Sequence, residues 1–231
     1  MKSSPWTTEQ RLEWASRFPR VGEDGPRFDT RTPDPDWVER FTRGRLNGIG
    51  TLPAILSERG TPDGFTDLVE RAKHALRDSL LAVGGWEVCQ NALDQDLGAI
   101  LEHGVVLDGA DALLRRGAPS GCHANSMEAA VRAPKRRAVM TGYALSDDGL
   151  WRAHSWVAET PVGGGDPMLV ETTEPRVTYA GFMQSTPDLL LRDERGPLSY
   201  DKMVTELHAN IERGMQVYQD RTTGIALPRP R

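Results

Sequence analysis

A hairpin pattern near the middle of the chain constrains the fold more than any other feature. Residues 138–145 (AVMTGYAL) favour a strand, the SDDG sequence at 146–149 is typical of a tight turn, and residues 150–159 return as a second strand. Two further strands are predicted at 168–173 and 177–183. Short strands that follow one another through tight turns predict an antiparallel sheet over this stretch.

Residues 1–118 have a mainly helical pattern. In the clearest segment, after Thr66, apolar side chains recur every three or four residues, and Gly84 and Gly85 then end the helix. The other predicted helical segments follow Thr7 or Thr8, follow Asp36, or lie at 86–102 and 109–116. The chain thus divides into a helical first part and a strand-rich second part.

A last helix is predicted from about 199 to 213, where Gly214 would end it. Helices and strands that occupy separate parts of a chain are typical of an α+β fold. We therefore expect a helical amino-terminal region, 1–118, packed on the antiparallel sheet of a core at 119–231 that also holds the last helix. With 231 residues, 38% of them apolar, the two regions can form one compact unit around a buried core.

Charge and apolar content exclude several function classes. A net charge of −5 argues against a general nucleic-acid-binding surface, which needs clustered Lys and Arg. The one dense basic cluster, at 135–137 (KRR), is interpreted as a solvated loop. The first ten residues lack the apolar segment of a signal peptide, and no run approaches the ~20 apolar residues that span a bilayer. We expect a cytoplasmic protein with no membrane or nucleic-acid partner.

The two cysteines of the chain have different surroundings. Cys89 lies among apolar residues in GWEVCQNAL and is interpreted as a small buried side chain. Cys122 follows a Pro-Ser-Gly turn and precedes residues that favour a helix, which places it in a first helical turn. The unpaired N–H groups and the dipole of a helix N-terminus lower the pKa of a thiol and can bind an oxyanion. Cys122 is therefore the candidate nucleophile.

A candidate base and a candidate orienting acid follow in two predicted strands. His154 lies in the returning strand of the hairpin, where alternation puts it on one face with Arg152 and Trp156. Glu171 lies in the next strand among Val and Thr, where a buried carboxylate needs an N–H-donating partner such as an imidazole. A cysteine, a histidine and an acid are the components of a thiol nucleophile, its base and the group that orients the base.

Four residues near these groups are candidate substrate contacts. Asn125 and Ser126 come three and four residues after the cysteine and so share its helix face. His123 is next to the nucleophile and is a candidate wall of the site, and Trp156 shares the strand face of the histidine. No cofactor and no metal are expected for this chemistry.

The same residues resemble a family pattern. A Cys that opens a helix, a His 32 residues later and an acidic residue 17 further on resemble the transglutaminase-like and wider papain-like core. The segments CHANS, TGYALSDDGLWRAHSW and VETTEPRVTYAGF are similar to a set of uncharacterised bacterial and phage proteins, over about residues 118–183. The resemblance implies that Cys122 is the nucleophile, His154 the base and Glu171 the orienting acid, although the transglutaminase-like pattern more often ends in Asp. It implies no single substrate, because this core hosts peptidases, deamidases, acyltransferases and transglutaminases.

We expect a cysteine-dependent acyl-transfer enzyme that forms a thioester and hydrolyses an amide or peptide bond in a small molecule or peptide. The alternatives are an acyltransferase that passes the acyl group to an amine, as transglutaminases do, and a non-catalytic binding or scaffolding protein. A serine nucleophile at Ser120 or Ser126 is weaker, because no GxSxG motif occurs. A zinc site is also weaker, because no paired-cysteine spacing occurs; its ligands would be Cys122, His123, His154 and Glu171. The sequence indicates no oligomeric state.

Overall fold

The computed structural model describes residues 6–36, 39, 61, 63–90, 94–184 and 200–223. Its helices are α1 (Thr8–Ala15), α2 (Phe65–Val83), α3 (Leu97–His103), α4 (Cys122–Arg132) and α5 (Tyr200–Thr223). Its strands are β1 (Glu87–Cys89), β2 (Val105–Asp108), β3 (Leu113–Leu114), β4 (Arg137–Leu145), β5 (Leu150–Glu159), β6 (Met168–Glu171) and β7 (Thr178–Met183). The protein is a mixed α+β structure, and none of its described helices is long and apolar enough to cross a membrane.

The described strands form one seven-stranded sheet in the order β2-β7-β4-β5-β6-β3, with β1 beside β5. β4 and β5 are antiparallel around the predicted turn, and the pairs β5–β6, β4–β7 and β2–β7 are antiparallel as well. All four strands predicted from the hairpin onward are confirmed. The strands from 137 to 183 pair antiparallel as predicted, but the sheet as a whole is mixed, because β1 and β3 from the first part of the chain join β5 and β6 in parallel.

The prediction of continuous helices over 86–102 and 109–116 is wrong for most of their length. Among the described residues of these segments only α3 is helical, while β1 and β3 are strands and β2 lies between the two segments. These strands are too short to produce a recognisable alternation, and their partners are distant in sequence: Val88 pairs with Trp151, and Val106 with Ala180. Tertiary pairing therefore decides the structure of this stretch.

The ends of the first helices follow their predicted signals closely. Thr7 caps α1, and its hydroxyl accepts a backbone N–H from the first turn at 3.2 Å. α2 ends before Gly84 as predicted, but it begins directly after Gly64, so Thr66 lies inside the first turn and is not the cap. The short helix predicted after Asp36 falls largely outside the described residues.

α5 continues through Gly214, so the prediction that this glycine ends the last helix is wrong. A Cβ on Gly214 would lie 2.2 Å from the carbonyl oxygen of Gly98 on α3. A Cβ on Gly98 would in turn lie 2.3 Å from the carbonyl oxygen of Asn210. The two glycines therefore allow two helix backbones to touch, which is a packing role and not a helix stop.

Both faces of the central strands are covered. On one face, a buried apolar cluster joins α2, α3 and α5 to Tyr143 and Trp151. On the other face, α1 joins a second buried cluster that contains Trp156 and Tyr179. Because strand side chains alternate between faces, His154 on β5 lies on the same face as the second cluster.

The predicted basic loop at 135–137 is instead largely anchored to a buried carboxylate. Glu159 is only 3% exposed and lies 3.3 Å from Arg136, 3.0 Å from Arg137 and 2.5 Å from Arg115. A carboxylate is buried at acceptable cost only when cations and hydrogen bonds compensate it. Two of the three basic residues thus belong to an ion-pair network, because β5 ends in a buried acid beside them.

Candidate active site

The loop before α4 turns sharply and delivers Cys122 as the first residue of the helix. Ser120 has a φ of 58°, in the left-handed region that non-glycine residues seldom occupy, and Gly121 is the N-cap. The first intrahelical bond runs from the Asn125 N–H to the Gly121 carbonyl oxygen at 2.8 Å. The N–H groups of the first turn therefore have no acceptor within the helix, and they lie beside the thiol. The predicted helix start is confirmed.

Asn125 and Ser126 hold α4 to its surroundings. The Asn125 amide nitrogen donates to the carbonyl oxygens of Ala118 at 2.9 Å and Thr172 at 3.3 Å, and its oxygen accepts the Ala118 N–H at 3.1 Å. The hydroxyl of the fully buried Ser126 lies 3.5 Å from that of Thr172. Both polar groups thus position the helix, and their role as substrate contacts stays a prediction.

A gap in strand pairing lets α4 approach β5. Along one edge of β5, β1 pairs with residues 150–152 and β6 with residues 157–159, and no described strand pairs with the residues between them. Within this gap the Cys122 thiol lies close enough to the His154 side chain and to the Ser155 backbone N–H for both to lower its pKa. The gap therefore brings the predicted nucleophile to the predicted base.

His154 and Glu171 form a buried pair on neighbouring strands. The Nε2 of His154 donates to Oε2 of Glu171 at 2.8 Å, and the two residues are only 7% and 1% exposed. With Nε2 bound to the carboxylate, Nδ1 is the ring nitrogen left for the sulfur of Cys122. The structure therefore links the three predicted catalytic residues in the order thiol, imidazole, carboxylate.

Sequence reasoning missed two residues that complete the surroundings of Glu171. Tyr179 on β7 donates its O–H to Oε2 at 2.8 Å. Thr173 donates its backbone N–H at 2.7 Å and its hydroxyl at 2.8 Å to Oε1. Thr173 lies only two residues beyond the carboxylate, so proximity in the chain could have indicated this contact. No sequence signal links Tyr179 to the acid, because the sheet alone brings β7 to that side.

The environment shifts the pKa values of the three groups in complementary directions. Burial opposes ionisation of Cys122, but hydrogen bonding and charge from His154, with backbone N–H groups, hold the thiol pKa below its ordinary value. Burial would lower the pKa of His154, but hydrogen bonds to Cys122 and Glu171 raise it. Burial would raise the pKa of Glu171, but its hydrogen bonds, the one from His154 first, lower it to about 2. These shifts favour a thiolate–imidazolium pair beside an ionised carboxylate near neutral pH.

His123 and Trp156 border the site in different ways. His123 is exposed, and its Nδ1 lies 3.2 Å from the hydroxyl oxygen of Ser155. Trp156 is fully buried, with its ring centroid 6.3 Å from that of His154 and 4.9 Å from that of Tyr179. Its indole N–H has no hydrogen-bond partner among the described residues. A substrate can therefore reach His123 directly, whereas Trp156 packs behind the imidazole.

Within the described ranges, no three His, Cys, Asp or Glu side chains are grouped so as to hold a metal ion, so the zinc alternative finds no ligand set there. The serine alternative gains no support at Ser126, whose hydroxyl faces Thr172 and not a histidine.

No protein-family model, curated protein or solved structure matches this chain. Function is therefore inferred from the site itself.

Cys122 is expected to react with iodoacetamide at pH 6 at least about tenfold faster than Cys89. An ordinary thiol with a pKa of about 8.5 is well under about 1% ionised at that pH, whereas the pKa of Cys122 is lowered and Cys89 is buried. The rate should fall only when the pH drops through the lowered thiol pKa. Peptide mapping after brief alkylation measures both sites, and equal labelling of the two cysteines in the folded protein would contradict the assignment.

Proposed function

We propose that the protein is a cysteine-dependent acyl-transfer enzyme of the transglutaminase-like, papain-like type that hydrolyses an amide or peptide bond. The observation that carries this proposal is the buried hydrogen bond at 2.8 Å between His154 and Glu171, with the Cys122 thiol close enough to the imidazole to raise its pKa. A structural histidine needs one partner, but this ring has a thiol on one side and an ionised carboxylate on the other. That arrangement is the one that activates a weak nucleophile.

In the first half-reaction, the thiolate of Cys122 attacks the carbonyl carbon of the amide, and the carbonyl π electrons move to its oxygen. The tetrahedral intermediate collapses, the C–N bond breaks, and the leaving nitrogen takes the proton from the imidazolium of His154. The products are a free amine, a thioester on Cys122 and a neutral imidazole. Glu171 stays ionised throughout and holds the ring orientation.

In the second half-reaction, neutral His154 removes a proton from water as the water oxygen attacks the thioester carbon. The C–S bond breaks, the carboxylic acid leaves, and the thiolate–imidazolium pair is restored. An amine in place of water would give acyl transfer. Hydrolysis is the simpler proposal, because it requires no site for a second substrate.

The first turn of α4 supplies donors for the oxyanion that forms in both half-reactions. Its N–H groups have no acceptor within the helix, and the helix dipole adds a positive field at the same point. The left-handed conformation of Ser120 starts α4 abruptly, beside the gap in strand pairing along β5. These features support an acyl-transfer role over a scaffolding role, since a scaffold has no use for free N–H donors beside a thiolate.

We further propose a small-molecule or peptide acyl donor, no cofactor, and a cytoplasmic location. Both cysteines are free, and a reducing compartment would keep the Cys122 thiol available for catalysis. The net charge of −5 gives no reason to expect a nucleic-acid partner.

Screening a panel of activated esters, thioesters and amides should yield an acyl adduct on one peptide, the one that contains Cys122. Intact mass reports the added acyl group, and peptide mapping reports the site. Cys89→Ala serves as the matched control, because it removes the other thiol and should still form the adduct. Adducts confined to Cys89, or a Cys122 that alkylates rapidly yet is acylated no faster than free cysteine by every donor, would overturn the proposed function.

A further inference from the structure

The carboxylate of Glu171 has a complete set of hydrogen-bond donors. Oε2 accepts the ring N–H of His154 and the O–H of Tyr179, both at 2.8 Å. Oε1 accepts the backbone N–H of Thr173 at 2.7 Å and its hydroxyl at 2.8 Å. An ionised carboxylate offers about four lone-pair positions, so all of them are used. A carboxylate held only by the imidazole could rotate about its side-chain bonds, and this one cannot.

We propose that Tyr179 and Thr173 are positioning residues of the active site, which fix the Glu171 carboxylate so that it holds the imidazole ring toward Cys122. The inference rests on the proposed acyl-transfer function and goes beyond the triad. Neither residue touches the thiol or the reacting atoms, so both act through Glu171.

The position of Tyr179 in the sheet supports this role. Tyr179 lies on β7, which is separated from β5 by β4, and its ring centroid is 6.2 Å from that of His154. On β4, Gly142 lies opposite His154, and a Cβ there would lie 2.2 Å from the carbonyl oxygen of Ala180, so the glycine allows β7, which carries Tyr179, to lie close against β4. The Tyr179 hydroxyl thus binds Oε2 while Thr173 binds Oε1, and we call these two residues the clamp of Glu171.

Because Tyr179 and His154 donate to the same oxygen of Glu171, Oε2, the Tyr179 hydroxyl also affects the pKa of His154. Donation from Tyr179 stabilises the negative charge of Glu171 and so weakens its pull on the imidazolium. Removal of that hydroxyl should therefore raise the pKa of His154 further, while the freed carboxylate orients the ring less well. Cys122 on α4 and Glu171 on β6 act on the charge of His154, and Tyr179 on β7 acts on that of Glu171. Arg176, in the loop before β7, acts in turn on Tyr179.

Tyr179→Phe tests the clamp, with Tyr143→Phe as its matched control. Both tyrosines are fully buried, and both donate to a carboxylate at 2.8 Å, but Tyr143 donates to Asp94 and belongs to the opposite face of the sheet. The NMR titration of the His154 ring needs no substrate. Tyr179→Phe should move this titration to higher pH and lower the acylation rate about tenfold with KM unchanged, whereas Tyr143→Phe should change neither.

Thr173 supplies a rescue comparison. Thr173→Val removes the hydroxyl at constant shape and should lower the acylation rate, whereas Thr173→Ser keeps the hydroxyl and should restore it. Thermal midpoints report any loss of fold in each variant. The proposal is overturned if Tyr179→Phe and Tyr143→Phe affect the His154 titration equally, or if neither affects it. Failure of every acyl donor to modify Cys122 would instead overturn the proposed function, and the His154 titration would still report on the clamp.

Discussion

Replacement of Cys122 by alanine is expected to abolish turnover of any substrate found in the adduct screen, by a factor on the order of 10⁴ or more. In the proposed mechanism the thiolate forms the covalent intermediate, and water cannot replace it at the same rate because the site is arranged around this sulfur, whose pKa His154 and the Ser155 backbone N–H lower. The fold should survive, since the cysteine is only partly buried and its side chain is small. Steady-state rates and the thermal midpoint of the variant measure the two effects.

Cys89→Ala is the control for this experiment. It makes the same chemical change at a thiol on β1 that is only 4% exposed, so it should lower stability slightly and leave turnover of the folded fraction intact. Turnover by Cys122→Ala comparable to that of the unaltered protein would show that the thiol is not the nucleophile.

Glu171→Gln is expected to lower acylation by about 10² to 10⁴-fold. In the unaltered protein each carboxylate oxygen of Glu171 accepts two hydrogen bonds, whereas the amide of glutamine has one oxygen and one NH₂ group. If the NH₂ group faces Thr173, it opposes two donors there; if it faces His154, it opposes the ring N–H and the Tyr179 hydroxyl. Either orientation leaves buried donors unsatisfied, so the free energy of unfolding should also fall by about 1–3 kcal/mol. Single-turnover acylation rates and denaturant unfolding measure the two quantities.

Glu159→Gln provides the matched control. Glu159 is also a buried glutamate, on β5, but its partners are arginines and not His154. Its conversion to Gln should destabilise the protein while the folded fraction keeps its acylation rate. Full activity of Glu171→Gln would contradict the triad assignment even if Cys122 proves to be the nucleophile.

The hairpin and the proposed catalytic residues could be predicted from the sequence because their signals are local. Alternating residues and the SDDG turn define β4 and β5, and the turn before Cys122 defines the start of α4. Residue chemistry and order then single out His154 and Glu171. That these two side chains lie close together could also be predicted, because residues on one face of neighbouring antiparallel strands lie side by side.

The remaining features depend on contacts between distant segments, and no local signal reports them. β1 and β3 have only three and two residues, so their structure is set by pairing with β5 and β6. A glycine at position 214 is typical of a helix end, but its close contact with Gly98 is the reason for a glycine there. Tyr179 would pass as an ordinary core aromatic without the sheet order that brings it to Glu171.

The chain between β3 and α4 ties together the segments that carry two of the proposed catalytic groups. The Arg115 N–H donates to the carbonyl oxygen of Glu171 at 2.8 Å, the Gly117 N–H donates to that of Thr172 at 2.8 Å, and Asn125 at the start of α4 bonds to Thr172 as well. The segments that carry the acid and the nucleophile are thus cross-linked to each other, whereas His154 belongs to the hairpin. β6 is in turn paired with β5 of that hairpin, so a shift of the cross-linked unit against the hairpin would change both histidine contacts together.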